Sequence, residues 1–547
     1  MTDQHPAPPG HSPVDDPSIL YASDFPSLTA AITSANELAK ASDSVTINLL
    51  GNISVTGALV PINTPGAVVI QPQSLDNVII DGGGSYQGFV VMGGNVTLSN
   101  LTISNMVSRG LPGCLGAGAG VFVGNFLKNS VYKTSAPAVV TLDNVSFSNC
   151  SAQGGSGDCI SNGGAGGHFN PDFTGGYGSS GHEGYKPSGK SLFQTPATAG
   201  YFGIAGPPGS GGGGGNPETT GGSGKQGSFG GYGGAAGCGG AGGGGGGGVL
   251  QGSPGGKAGS PGCEGFGGGI GSFAGEQAAN IGAGGPGGAS ANGGGAGFGG
   301  AIFAMDNASL VIQGDGSVSG GTAQGGTNVV VANNASTTMR AGAGAGAGIF
   351  LQGSGLLTFS PVDQYTVNDT IADEYGVVGT GAAFACDPHT GPDGQAAGGG
   401  TGKWGLAMTG AGTLTLNGSH AFSGPLTVSA GTLDISGYEN TGGGDLVLSS
   451  NVTLILRPAT VGSGVQFGNV LAATVALLLN GNCRILVATL QATTLNLELD
   501  STGFAANVPV PLIQTTSQPI PAGLIVNLPA GYTSSIAQDT LYVTLNQ

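Results

Sequence analysis

The chain has 547 residues, of which 116 are glycine, 39% are hydrophobic and only 7% are charged, with 12 Lys and Arg against 29 Asp and Glu, a net charge of −17. Ordinary domains carry about 25% charged residues, so charged faces and ion-pair networks cannot organise this one, and its hydrophobic content excludes a fully disordered chain. The acidic balance excludes nucleic acid and anionic lipid as partners, since both call for clustered Lys and Arg, and no run of about 20 apolar residues offers an integral membrane span.

Residues 1–22 are rich in Pro and polar side chains and lack both a basic n-region and an apolar h-region; they read as a disordered tail and not as a secretory leader. Residues 23–44 predict a capping helix. Asp24 can cap it, Pro26 is tolerated in its first turn, and Leu28, Ala31, Ile32, Ala35 and Leu38 share one face. Such a helix would plug the open N-terminal end of a repeat fold, where strand edges and apolar core are otherwise exposed.

Residues 45–152 contain the first repeat. VTLSNLTISN at 96–105 returns as VTLDNVSFSN at 140–149. Val96 and Leu98, then Leu101 and Ile103, alternate with polar residues, as do Val140, Leu142, Val145 and Phe147, the period-two mark of half-buried strands. Asn100 and Asn144 interrupt each pair of strands. Asn tolerates the left-handed conformation, and a one-residue corner is too short to reverse the chain, so the strand bends and goes on.

Residues 153–298 are roughly two-fifths Gly, with GGGGG at 211–215 and GGGGGGG at 242–248. With few side chains to bury and a high backbone entropy cost, they read as an insertion, either looping from the fold or packed on it. Before and after it stand GAGVF at 118–122, GGAIF at 299–303 and GAGIF at 346–350. In these the small residues give tight turns and close approach, and Val121-Phe122, Ile302-Phe303 and Ile349-Phe350 each begin a new strand. Residues 299–500 continue the repeats. GTLTLNG at 412–418 returns as GTLDISG at 431–437, with Leu414 and Leu416 answered by Leu433 and Ile435 and LTV at 426–428 between them. Residues 501–547 close the chain with further turns or a small β cap. Strand, turn, strand, turn at this period predicts an all-β parallel solenoid, whose inward positions stack into apolar ladders on strands roughly 4.8 Å apart.

Chemistry-bearing patterns are sparse. No two of the six His have HxxxH or HxH spacing, and the Gly runs lack the GK(S/T) of a phosphate-binding loop. Asp373-Glu374 and Asp387-His389 are the nearest thing to metal or acid–base candidates, and no catalytic, cofactor-binding or metal site is assigned; no cofactor is expected. Seven Cys occur, none in CxxC. Cys150 with Cys159, or Cys238 with Cys263, would bridge turns in an oxidising compartment; otherwise the thiols are small apolar side chains.

Residues 79–105, IIDGGGSYQGFVVMGGNVTLSNLTISN, resemble the opening coils of pectate-lyase-like right-handed parallel β-helices of bacterial surface proteins. GGAIF and FSNC (147–150) resemble repeats of polymorphic outer-membrane proteins, and TGAGTLTLNGSHAFSGPLTVSAGTLDISG at 409–437, preceded by IADE at 371–374, resembles the autotransporter-associated β-strand repeat. The resemblance implies a right-handed β-helical passenger-type domain, extracellular or on the bacterial cell surface. It would be a non-enzymatic adhesin or contact module that meets a surface glycan or protein receptor through the solenoid flank and the Gly-rich loops. Alternatives are a self-assembling structural protein built from stacked copies of itself, and a polysaccharide lyase or hydrolase of the same fold.

Overall fold

A computed structural model of the chain describes residues 18–40, 43–74, 76–110, 115–124, 138–155, 159–160, 163–164, 296–306, 308–327, 342–379, 402–418, 420–438, 444–449, 452–456, 464–471, 474–480, 484–492 and 494–546. The Gly-rich segment and the Asp387-His389 pair therefore lie almost wholly or wholly outside the described residues.

The alternation read from the sequence becomes a ladder. On the first column of strands Val45 lies beside Val68, Val68 beside Val96, Val96 beside Val140, and Val140 beside Leu310; Leu357, Leu406, Leu426 and Leu446 follow in register. Two residues on, Ile47, Ile70, Leu98, Leu142, Ile312, Phe359, Met408, Val428 and Leu448 form a second ladder on the same strands. All these pairings are parallel, and every member of both ladders is buried. The intervening positions, such as Thr97, Thr141 and Thr358, are only partly covered. Side chains that alternate between the two faces of a strand place all the apolar ones on one side.

A second column runs through a further set of parallel strands. Ile80, Ile103, Phe147, Val318, Val367 and Leu416 are successive parallel partners. Tyr365, Leu414, Leu433 and Leu454 carry the neighbouring ladder. The register shifts between Thr415 and Asn417, so Leu416 and Ile435 are both buried without being registered partners. The bend between the columns falls at Asn100 (φ 54°) and Asn144 (φ 52°), both left-handed. The Asn144 side chain also serves the next passage of the chain: its Oδ1 accepts from the Asp315 backbone N–H at 2.8 Å. Asp315 Oδ1 in turn accepts from Asp363 and Gln364 N–H, 48 and 49 residues further on. Short polar side chains at the corners thus satisfy backbone donors of the neighbouring turn.

The GAGVF, GGAIF and GAGIF phrases build a third column, in which Val121, Ile302 and Ile349 are parallel partners and Phe122, Phe303 and Phe350 lie beside one another. The Phe122 and Phe303 rings stack at 5.2 Å between centroids, and Phe303 and Phe350 at 5.7 Å. Both faces are covered, because two-residue strands Gly116–Ala117, Gly297–Phe298 and Gly344–Ala345 lie against it and Phe298 stacks on Phe350 at 4.2 Å. Parallel strands buried on both faces read as unbroken apolar runs. The first Gly of each phrase makes the turn between the two layers. Gly118, Gly299 and Gly346 have φ of 56°, 68° and 62°, and a Cβ there would lie 2.2–2.7 Å from the carbonyl oxygen three residues on.

The N-terminal helix spans Phe25–Leu38, with Asp24 and Ser27 forming a reciprocal capping box. Leu28, Ala31, Ile32 and Ala35 are buried against the first strands. Leu38, grouped with them on sequence periodicity, is 39% exposed, because it is the last residue of the helix and the chain has already turned away. At the other end the parallel rule stops. Thr540–Leu545 pairs antiparallel with Pro509–Thr515 on one side and with Tyr532–Ala537 on the other. Among the described residues no helix is long and apolar enough to cross a membrane.

Candidate functional site

Polar side chains are rare in the core, and four of those that are buried lie on one stretch of fold: Asp373, Glu374, His420 and Ser423. Asp373 ends the third column, as the partner of Leu351. The six-residue helix Glu374–Gly379 follows at once. From Trp404 onward the strands come at shorter intervals: Leu406, Leu426 and Leu446 are successive partners, whereas Leu310, Leu357 and Leu406 were spaced more than twice as widely. The polar group therefore sits where widely spaced strand partners give way to closely spaced ones.

Asp373 collects donors from three separate segments. Its Oδ2 accepts from Trp404 N–H at 2.9 Å and from Ser423 N–H at 2.8 Å, and its Oδ1 accepts from Gly376 N–H at 2.7 Å. The Ser423 hydroxyl donates to the same carboxylate. Burial pushes the Asp373 carboxyl upward, and these four donors pull it back. A carboxylate with both oxygens engaged and no exposed surface is arranged as a clasp: it ties the strand Ile371–Asp373 to the helix and to the segments at Trp404 and Ser423. Beside it His420 accepts the Ile371 N–H at Nδ1, 3.0 Å away, and burial drives its pKa down to about 3, so the ring is neutral with its proton on Nε2. Trp404, fully buried, donates its indole N–H to the Gln352 carbonyl at 2.9 Å.

Glu374 is less well served. Oε2 accepts from Gly402 N–H at 3.2 Å, while Oε1 is buried without a hydrogen-bond partner. Burial outweighs the pull of the Gly353 and Gly402 N–H groups and, with smaller contributions from the Asp306 and Asp373 charges, lifts its carboxyl from 4.5 to about 7. Below pH 4.5 the carboxyl is protonated in folded and unfolded chains alike. Between 4.5 and about 7 the unfolded chain gives up its proton first, so stability falls as pH rises through that window and is level above it. Glu374→Gln, which mimics the protonated acid, should therefore match the parent at pH 4.5 and exceed it at pH 8 by about 3 kcal/mol. Urea denaturation of both proteins at the two pH values checks this, and equal stability at pH 8 would refute it.

Among the described residues no three His, Cys, Asp or Glu side chains are placed to hold a metal ion. Cys150 is a free, buried thiol, pushed up to about 12 by burial. The residues singled out for their repeats (Val96, Leu98, Leu101 and Ile103; Val140, Leu142, Val145 and Phe147; the three branched-apolar/Phe pairs; Leu414, Leu416, Leu433 and Ile435) are all buried, all but Ile435 as registered ladder members, and Asn100 and Asn144 are the corners between columns. Sequence reasoning marked Asp373 and Glu374 but missed His420, Ser423 and Trp404. The signal available was weak: the lone Trp of the chain, and a His and a Ser flanking Phe422 in an apolar repeat.

Residues 406–435 match the family model described as the passenger-associated-transport-repeat. No curated protein and no solved structure matches the chain. The matched segment begins two residues after Trp404, contains His420 and Ser423, and spans one full short turn, from Leu406 to its partner Leu426 and from Leu414 to its partner Leu433. The turns that Asp373 fastens in place are thus similar to a repeat found in passenger-type chains.

Proposed function

We propose that this chain is a right-handed parallel β-helix of the passenger type, displayed on the bacterial cell surface or released from it, and that it acts as a non-enzymatic adhesin or contact module. The observation that carries the reading is the coincidence of two findings. Among the described residues parallel strands pair in succession between Ile19 and Asn527, and a segment similar to a passenger repeat lies inside that succession. A stack of this kind offers a long flank. On the first column the outward row reads Thr97, Thr141, Val311, Thr358, Ala407, Thr427 in register, hydroxyl and small aliphatic groups without a charge. Such a row suits many weak contacts with a glycan or protein receptor, with desolvation costs far below those of a charged surface.

Brief protease treatment of intact producing cells tests the placement, and binding of the purified chain to glycan and protein arrays tests the role. The reading expects peptides of this chain to be released from intact cells and saturable, non-catalytic binding to an array component. Peptides found only after lysis would refute the display, and release of shortened glycan products would move the chain to the polysaccharide-active class.

A further inference from the structure

The two ends of the first column are built alike. Ile19–Ala22 is its first strand and, among the described residues, pairs on one side only, parallel to Ser44–Leu49. At the far end Pro509–Thr515 meets Thr540–Leu545 antiparallel, and Thr540–Leu545 meets Tyr532–Ala537 antiparallel. Two reversals restore the original direction, so Tyr532–Ala537 runs with the column, and it too pairs on one side only among the described residues. A free strand edge is a row of unmatched N–H and C=O groups, and folded proteins blunt such edges with Lys, Pro or a bulge. Neither ILYA at 19–22 nor YTSSIA at 532–537 has Lys, Arg or Pro. The neighbouring terminal strand Ile525–Asn527, by contrast, is flanked by Pro521 and Pro529. Apolar side chains stand in the open at both edges: Ile19 is 39% and Tyr21 51% exposed at one, Ile536 39% at the other.

We propose that copies of this chain associate head to tail, the Ile19–Ala22 edge of one copy pairing parallel with the Tyr532–Ala537 edge of the next and continuing the first column across the junction. The occupant is a second copy because the match is one of direction as well as of exposure: each edge supplies the parallel partner the other lacks. An interface between two different patches of the same molecule closes into a ring only where its rotation allows; one that continues a column along its own direction does not close, so its product is a linear filament. With a net charge of −17 on every copy, long-range repulsion opposes the approach, and added salt screens it.

Sedimentation velocity and electron microscopy of the full chain test this. The expected result is a concentration-dependent series of linear species, growing as salt is raised, with an axial repeat of one molecule. Tyr21→Lys and Ser535→Lys each place a charge on one edge at an exposed position, and unchanged thermal melts establish that each variant is folded. Each should weaken association by about tenfold or more. Mixing the two should give dimers and nothing longer, since only one functional head and one functional tail remain per pair. Monomer at every concentration and salt, or filaments undiminished in either variant, would overturn the proposal.

Discussion

Asp373→Ala should lower the unfolding free energy by about 4 kcal/mol, chiefly through what it leaves behind. The backbone N–H groups of Gly376, Trp404 and Ser423 all end on this carboxylate in a site shut off from solvent. A buried donor deprived of its acceptor costs about 1–3 kcal/mol, and three are deprived at once. Asp373→Asn keeps one acceptor oxygen but turns an N–H toward donors, so it should fall between, near 2 kcal/mol. In a ladder of parallel strands each strand is stabilised mainly by the strands it pairs with. The loss should therefore appear locally, as hydrogen exchange accelerated in the short turns from residue 404 onward while the strands near Val96 and Val140 remain protected. Chemical denaturation and exchange measured on the full chain read both effects. A cost below about 1 kcal/mol would show that the clasp is not needed.

Phe303→Ala should cost about 3–5 kcal/mol, the range for emptying a buried aromatic site. Its ring is completely buried between Phe122 and Phe350, in near-parallel stacking with both (interplanar angles 5° and 13°). The cavity would face strands on both sides and cannot collapse without breaking their register. Phe303→Leu, which refills most of the volume, should recover more than half the loss. The effect differs in place from that of Asp373→Ala: exchange should rise in the three aromatic-bearing turns and leave residues after 426 unaffected. Indifference to Phe303→Ala would mean that the stacked rings contribute nothing beyond shape.

The fold was legible where a strong local pattern repeats at short range. Val96 to Ile103 and Val140 to Phe147 announce alternation, corner and pairing partner together, and Asn100 and Asn144 adopt the left-handed bend their residue type favours. The helix at 25–38 was equally readable from Asp24, Pro26 and its apolar spacing, apart from the half-exposed Leu38 at its last position. Less could be read at the termini, because period-two alternation does not encode strand direction; TLYVTLN at 540–546 looks the same whether it joins a parallel stack or reverses against it. The role of Gly118, Gly299 and Gly346 was only partly visible. The phrase showed that small residues were wanted, but not that the first of each three takes a positive φ between two layers. The clasp was hardest. Asp373 is held by backbone N–H groups of residues 404 and 423, and main-chain donors leave no mark in side-chain identity.

The register across residues 153–298 has a practical meaning. Val140 meets Leu310 as directly as it meets Val96, and Asn144 reaches Asp315 over a separation of 171 residues. The two flanking strands pair through their own ladder residues, and the closure entropy of a connection grows only slowly with its length, about 0.6 kcal/mol per doubling. Gln153 and Ala296 thus mark a socket. A foreign domain with neighbouring termini, spliced in beyond Gly155, would ride on the scaffold as cargo and leave the ladders on either side paired as they are.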